Sequence, residues 1–113
     1  MEYLNISIFY ILGNFLFIDC DVGYTYKLSL SDIPIKMFDY DKLGSESCKY
    51  EFKLLGLVHH IPGHYKAICF YANNNSWWEY DDMNVNNNKK LDSDTKVSPH
   101  ILVYFKTKIQ CTF

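Results

Sequence analysis

The tripeptide Gly63-His64-Tyr65 and the dipeptide Asp81-Asp82 hold the side chains of this sequence best suited to moving protons. An imidazole titrates near neutral pH, so it can take the proton of a thiol and leave a thiolate nucleophile. A carboxylate beside the ring holds it in one tautomer. His64 and Asp81 stand 17 positions apart, which suits two short strands and a tight turn that return the chain to its starting end. The chemistry these residue types allow is thiol-dependent acyl transfer. Taken singly, each has an ordinary reading: a lone histidine is more often structural, and Asp81-Asp82 alone reads as a solvated turn. The order and spacing of the set single it out.

A nucleophile is harder to find. Cys20, Cys48, Cys69 and Cys111 lie far apart, with no C-x-x-C pair. A zinc cage needs closely spaced thiolates, so no metal site is indicated. Cys69 comes five residues after His64 on the same run, and an odd separation along a strand points two side chains to opposite faces. Cys48 falls in a polar stretch with no helix signal behind it, and Cys20 precedes a turn. Cys111 follows Gln110 too closely for a helix to carry its thiol. All four read as ordinary reduced thiols, which fits a cytoplasmic or nuclear setting.

The elements that must position these groups are strands, because aromatic and β-branched residues come in short runs broken by Gly, Pro, Asn and Asp. Phe15 to Ile18 reads as a buried strand and Tyr24 to Leu30 as the next, after a turn at Asp21-Val22-Gly23. Residues 31–41 read as an irregular connection anchored by Ile33 or Ile35, and 43–48 as a polar loop. From Tyr50 to His60 the period-two rule puts Tyr50, Phe52, Leu54, Gly56 and Val58 on one face. Leu55 and Leu57 make the other face apolar too, which marks a central strand. Ile61-Pro62-Gly63 is a turn, Tyr65 to Tyr71 a strand, Asn73 to Ser76 a polar turn and Trp77 to Tyr80 a strand, with one of Trp77 and Trp78 inside. Residues 83–99 read as loop and Ile101 to Lys106 as a closing strand. Short turns imply an antiparallel sheet, and no stretch carries a capped helical period. The expected fold is mainly β, in a single domain over residues 1–113. The apolar run over residues 1–18 is interrupted by Asn5, Ser7, Gly13 and Asn14 and lacks a basic start, so it reads as buried strand, not as a signal or a membrane span.

Phe52, Leu54, Gly56 and His60, then Gly63, His64 and Tyr65, then Trp77, Tyr80, Asp81 and Asp82 form an ordered series. The series resembles the second conserved box of the ubiquitin-specific proteases, which are papain-like cysteine peptidases, and equally that of their SUMO-directed relatives. The run from Val97 to Lys106 is similar to that family's closing strand. Phe15 to Asp21 and Ser31 to Met37 are similar to the strand and connection upstream, so the likeness covers residues 13–106. It implies the antiparallel palm of a papain-like protease, with His64 as general base, Asp81 orienting its ring and Asp82 as a second polar group at the site. It also implies that His60, Gly63 and Tyr65 border a groove for the Gly-Gly tail of ubiquitin or a ubiquitin-like protein. No cofactor is implied.

That family's first box, Gly-x-x-Asn-x-Gly-x-Thr-Cys-Tyr at the start of a helix, finds no match here, and neither do its zinc-bearing fingers or helical thumb. The expected function is the C-terminal half of a deubiquitinase-type isopeptide hydrolase, inactive alone because the nucleophile is missing. The alternatives are a non-catalytic ubiquitin- or SUMO-binding remnant and a β-rich interaction module. A palm without helical cover exposes apolar surface, so a nucleophile-bearing chain or self-association is expected. A net charge of −2, with 11 scattered Lys and Arg, argues against nucleic acid or a membrane surface as partner.

Overall fold

The computed structural model of the protein describes residues 6–20, 27–43, 46–81 and 88–112. Within them lie β1 (Ile6–Leu12), β2 (Phe15–Cys20), β3 (Leu28–Ser29), a 3-10 turn (Leu30–Asp32), β4 (Lys36–Leu43), β5 (Glu46–Ile61), β6 (His64–Tyr71), β7 (Ser76–Tyr80), β8 (Lys89–Leu91), β9 (Lys96–Val97) and β10 (Pro99–Thr112). One antiparallel sheet runs in the order β1-β2-β10-β5-β6-β7-β8, with β4 also paired to β5. The mainly β, antiparallel expectation holds. β5 and β10 form its spine, pairing from Pro99↔His59 to Thr112↔Ser47. β4 takes the outer half of β5's free edge, from Lys53 to Glu46, and β6 takes the inner half, from Gly56 to Ile61.

One face of the sheet is the core. Leu16, Ile18 and Cys20 of β2 alternate into it, and Leu102, Tyr104, Phe52, Leu54, Ile68, Phe70 and Trp77 join them. Leu28, Leu30, Ile33 and Val97 belong to the same buried cluster. They come from the 3-10 turn, its flank and the two-stranded β3–β9 sheet, so this small unit is the lid of the core. Leu30 N–H donates to the Thr95 carbonyl at 3.0 Å, and the buried Tyr104 hydroxyl donates to the Pro34 carbonyl at 2.6 Å. That last bond lets a phenol sit fully inside without an unpaired oxygen.

The structure corrects several expectations. Residues 36–43 are a strand, not an irregular connection, and Ile33 is the anchor while Ile35 is exposed. Glu46 to Cys48 belongs to β5 instead of a loop, and the closing strand begins at Pro99 and continues to Thr112. Leu30 starts a 3-10 turn instead of ending a strand, and the loop expected over 83–99 contains β8 and β9. Ile11 and Leu12 of the opening run are exposed. Cys48 and Cys111 are joined in a disulfide across the directly opposed β5 and β10 positions, so the expectation of four reduced thiols fails for this pair.

The simple alternation of β5 fails as well, for a local reason. The β10 register jumps between Val103, opposite Gly56, and Tyr104, opposite Leu54. Leu55 is the extra residue of a β-bulge, and it is exposed. Past the bulge the inward positions become Leu57 and His59, both buried, while Val58 moves to the outer face. Gly56 is required at this point. A Cβ there would overlap the Ile68 carbonyl oxygen and lie 3.1 Å from the Cys69 Cα.

Candidate active site

His64 opens β6 directly after Pro62 and Gly63. Gly63 has φ 73°, and Pro followed by a left-handed Gly is the residue order of a type II turn. β6 returns through a turn ending at Asn75, which has φ 54° and is the kind of residue that tolerates it. β7 then pairs Phe70↔Trp77, Ile68↔Glu79 and Ala67↔Tyr80. Asp81, one residue beyond β7, therefore arrives at the same sheet end as His64.

There the His64 Nε2 lies 2.8 Å from the Asp81 Oδ1, with both side chains about one-fifth exposed. A carboxylate only accepts, so Nε2 carries the proton and donates it, which leaves Nδ1 as the basic nitrogen. His64, Lys66, Ile68 and Phe70 share the core-side face of β6, as period two demands. On the neighbouring strand Trp77, Glu79 and Asp81 share it too. The Lys66 Nζ is 3.4 Å from Glu79 Oε1 and 3.8 Å from Asp81 Oδ2. The apolar core thus ends in a cluster of opposed charges around the imidazole.

His59 faces Lys66 across the β5–β6 pair. The Ser98 N–H donates to its Nδ1 at 2.9 Å, and the next residue's N–H, from His60, donates to the Ser98 carbonyl at 2.9 Å. Burial pushes the His59 pKa below its ordinary 6.5, and accepting the Ser98 proton also requires the neutral ring. On the opposite face His60 stacks on Tyr65, with centroids 4.6 Å apart. His100 completes a three-ring cluster at 5.7 Å from His60 and 5.5 Å from Tyr65. Tyr65 is half-exposed. A cleft of about 510 Å³ is lined by Val58, Tyr65, Ala67 and Tyr80 and bordered by Lys66 and Asp81.

Of the residues singled out from the sequence, the structure brings His64 and Asp81 into contact and puts Gly63 in the turn that aims His64. His60 and Tyr65 stand together on the other face, and Asp82 lies outside the described residues. No cysteine accompanies His64. Cys69 is on the far face of β6, with its thiol pKa raised by burial. Cys20 is buried in β2, three strand spacings or about 14 Å away, and burial raises its pKa to about 11. Cys48 and Cys111 are bonded to each other. Among the described residues no group of three or more His, Cys, Asp or Glu could hold a metal ion, and no helix is long and apolar enough to cross a membrane.

Lys66, Glu79, His59 and His100 also stand at or beside the site, and no motif in the sequence marks them. Two of these had a usable signal: Lys66 is two after His64 and Glu79 two before Asp81, the spacing that puts each pair on one face of a strand.

No curated protein and no solved structure matches the chain. The model of the family described as ubiquitin carboxyl-terminal hydrolase matches residues 17–104. That span starts in β2 and ends in β10, and it takes in both strands that carry the His64–Asp81 pair. The chain belongs to the ubiquitin carboxyl-terminal hydrolase family.

Proposed function

We propose that this chain supplies the base and its orienting carboxylate to a cysteine isopeptidase that cleaves after the Gly-Gly tail of ubiquitin or a ubiquitin-like protein. The observation that carries this reading is the 2.8 Å His64–Asp81 contact at the paired ends of β6 and β7. In the reaction, Nδ1 of His64 takes the proton of a thiol, and the thiolate attacks the tail's terminal carbonyl. The resulting imidazolium is stabilised by Asp81 and returns the proton to the leaving amine. Water then hydrolyses the thioester by the same route. Gly63 borders the tail beside His64, and His60 and Tyr65 border it on the opposite face of the sheet.

The thiol comes from a nucleophile-bearing chain or segment other than these 113 residues. In support, two of the four cysteines are disulfide-bonded, one is buried three strands away and one faces the wrong side of β6. The same placement favours a second reading, in which the chain holds ubiquitin or SUMO without cleaving it. The test is to incubate the chain with ubiquitin whose C-terminal carboxyl is replaced by a thiol-reactive vinyl sulfone, and to map any adduct by mass spectrometry. The expected result is no adduct at Cys20, Cys48, Cys69 or Cys111. A stoichiometric adduct at any of them that disappears in His64→Ala would overturn the assignment of the thiol to another chain.

A further inference from the structure

Lys66 occupies a position that its neighbours make unusual. It lies on the core-side face of β6 between His64 and the buried Ile68, and its side chain is only one-quarter exposed. An ammonium at a largely covered, inward position is retained only where carboxylates meet it. Two do so here. Glu79 takes the Lys66 Nζ in a hydrogen bond of 3.4 Å, and Asp81 presents Oδ2 at 3.8 Å. Asp81 is therefore held from both sides, with Oδ1 on the His64 Nε2 and Oδ2 toward the lysine. The terminal torsion of an aspartate is broad, so an ion pair added to the His64 hydrogen bond narrows the orientation of the carboxylate plane towards the imidazole.

We infer that Lys66 is a positioning residue for the His64–Asp81 pair: tethered by Glu79, it holds the Asp81 carboxylate so that Oδ1 keeps the Nε2 proton of His64 in place. Its importance to hydrolysis rests on the reading of His64 as the base, but its grip on Asp81 is measurable without any reaction.

The experiment is proton NMR of the ¹⁵N-labelled 113-residue chain, following exchange of the His64 Nε2 proton with water. The signal is assigned by its loss in Asp81→Ala, which leaves no acceptor for the Nε2 proton. Lys66→Met and Lys66→Gln are each expected to speed this exchange at least about fivefold, the scale of one modest hydrogen-bond energy. Lys66→Arg, which keeps the charge, is expected to restore the slow rate. Backbone amide spectra show that each variant is folded, and the Gln variant serves if the Met variant is not. A purely structural lysine would lower the melting temperature in both variants and leave the exchange rate alone. Exchange within about twofold of wild type in folded Met or Gln variants would overturn the role. Failure of the chain to bind ubiquitin would count against the functional reading and leave this result untouched.

Discussion

At the scale of single residues, His59 and Gly56 make the sharpest demands. His59 is folded in its neutral form, with its pKa pushed below 6.5 by burial. The unfolded chain therefore binds the proton first as the pH falls. The stability His59 contributes is complete above pH 6.5 and is lost as the pH drops from there toward the folded value. The urea midpoint should fall between about pH 7.5 and pH 5, and fall less in His59→Gln, which keeps an acceptor for the Ser98 N–H. Gly56→Ala drives a methyl group into the Ile68 carbonyl, and thermal unfolding should show a loss of about 1–3 kcal/mol. The His64–Asp81 pairing was legible in the sequence because Gly-His-Tyr and Asp-Asp bracket a hairpin of fixed length. Lys66 and Glu79 obey the same periodicity. They went unread because charged residues on a strand are usually turned to solvent, and only the sheet's register shows that these two face inward.

At the scale of elements, the strand runs with clean alternation or dense aromatics could be read directly: β2, β6, β7 and the inner parts of β5 and β10. β4 could not. Its sequence, Lys36 to Leu43, mixes charged and apolar residues, among the described residues it pairs only with β5, and Lys36, Phe38 and Asp39 are all exposed, so no alternation marks it. The β5 bulge was equally hidden, since one inserted residue leaves composition unchanged while exchanging the faces of everything after it. The outer β4–β5–β10 ribbon is where the Cys48–Cys111 disulfide lies, closing 63 residues of chain. A cross-link over that span lowers the entropy of the unfolded chain. Reducing it, or replacing both cysteines by Ser, should cost roughly 2–4 kcal/mol in denaturant unfolding. Thiol titration should count two accessible groups in the unfolded, unreduced chain and four after reduction.

At the scale of the whole molecule, one sheet carries a core on one face, a charged histidine site at that core's end, and an aromatic cluster with a cleft on the other face. The family match covers the strands that bear all three. Under the proposed function a chain so built holds the tail of ubiquitin, whether or not a thiol is present to cut it. The direct measurement is a titration of ¹⁵N-labelled ubiquitin with the 113-residue chain, followed by amide shifts. Shifts are expected to concentrate in ubiquitin's C-terminal tail and its surroundings, saturating near the weak end of specific binding at about 10⁻⁴–10⁻³ M. They should shrink when Tyr65→Ala removes one wall of the groove. An unchanged ubiquitin spectrum at millimolar chain, repeated with SUMO, would contradict the proposed function.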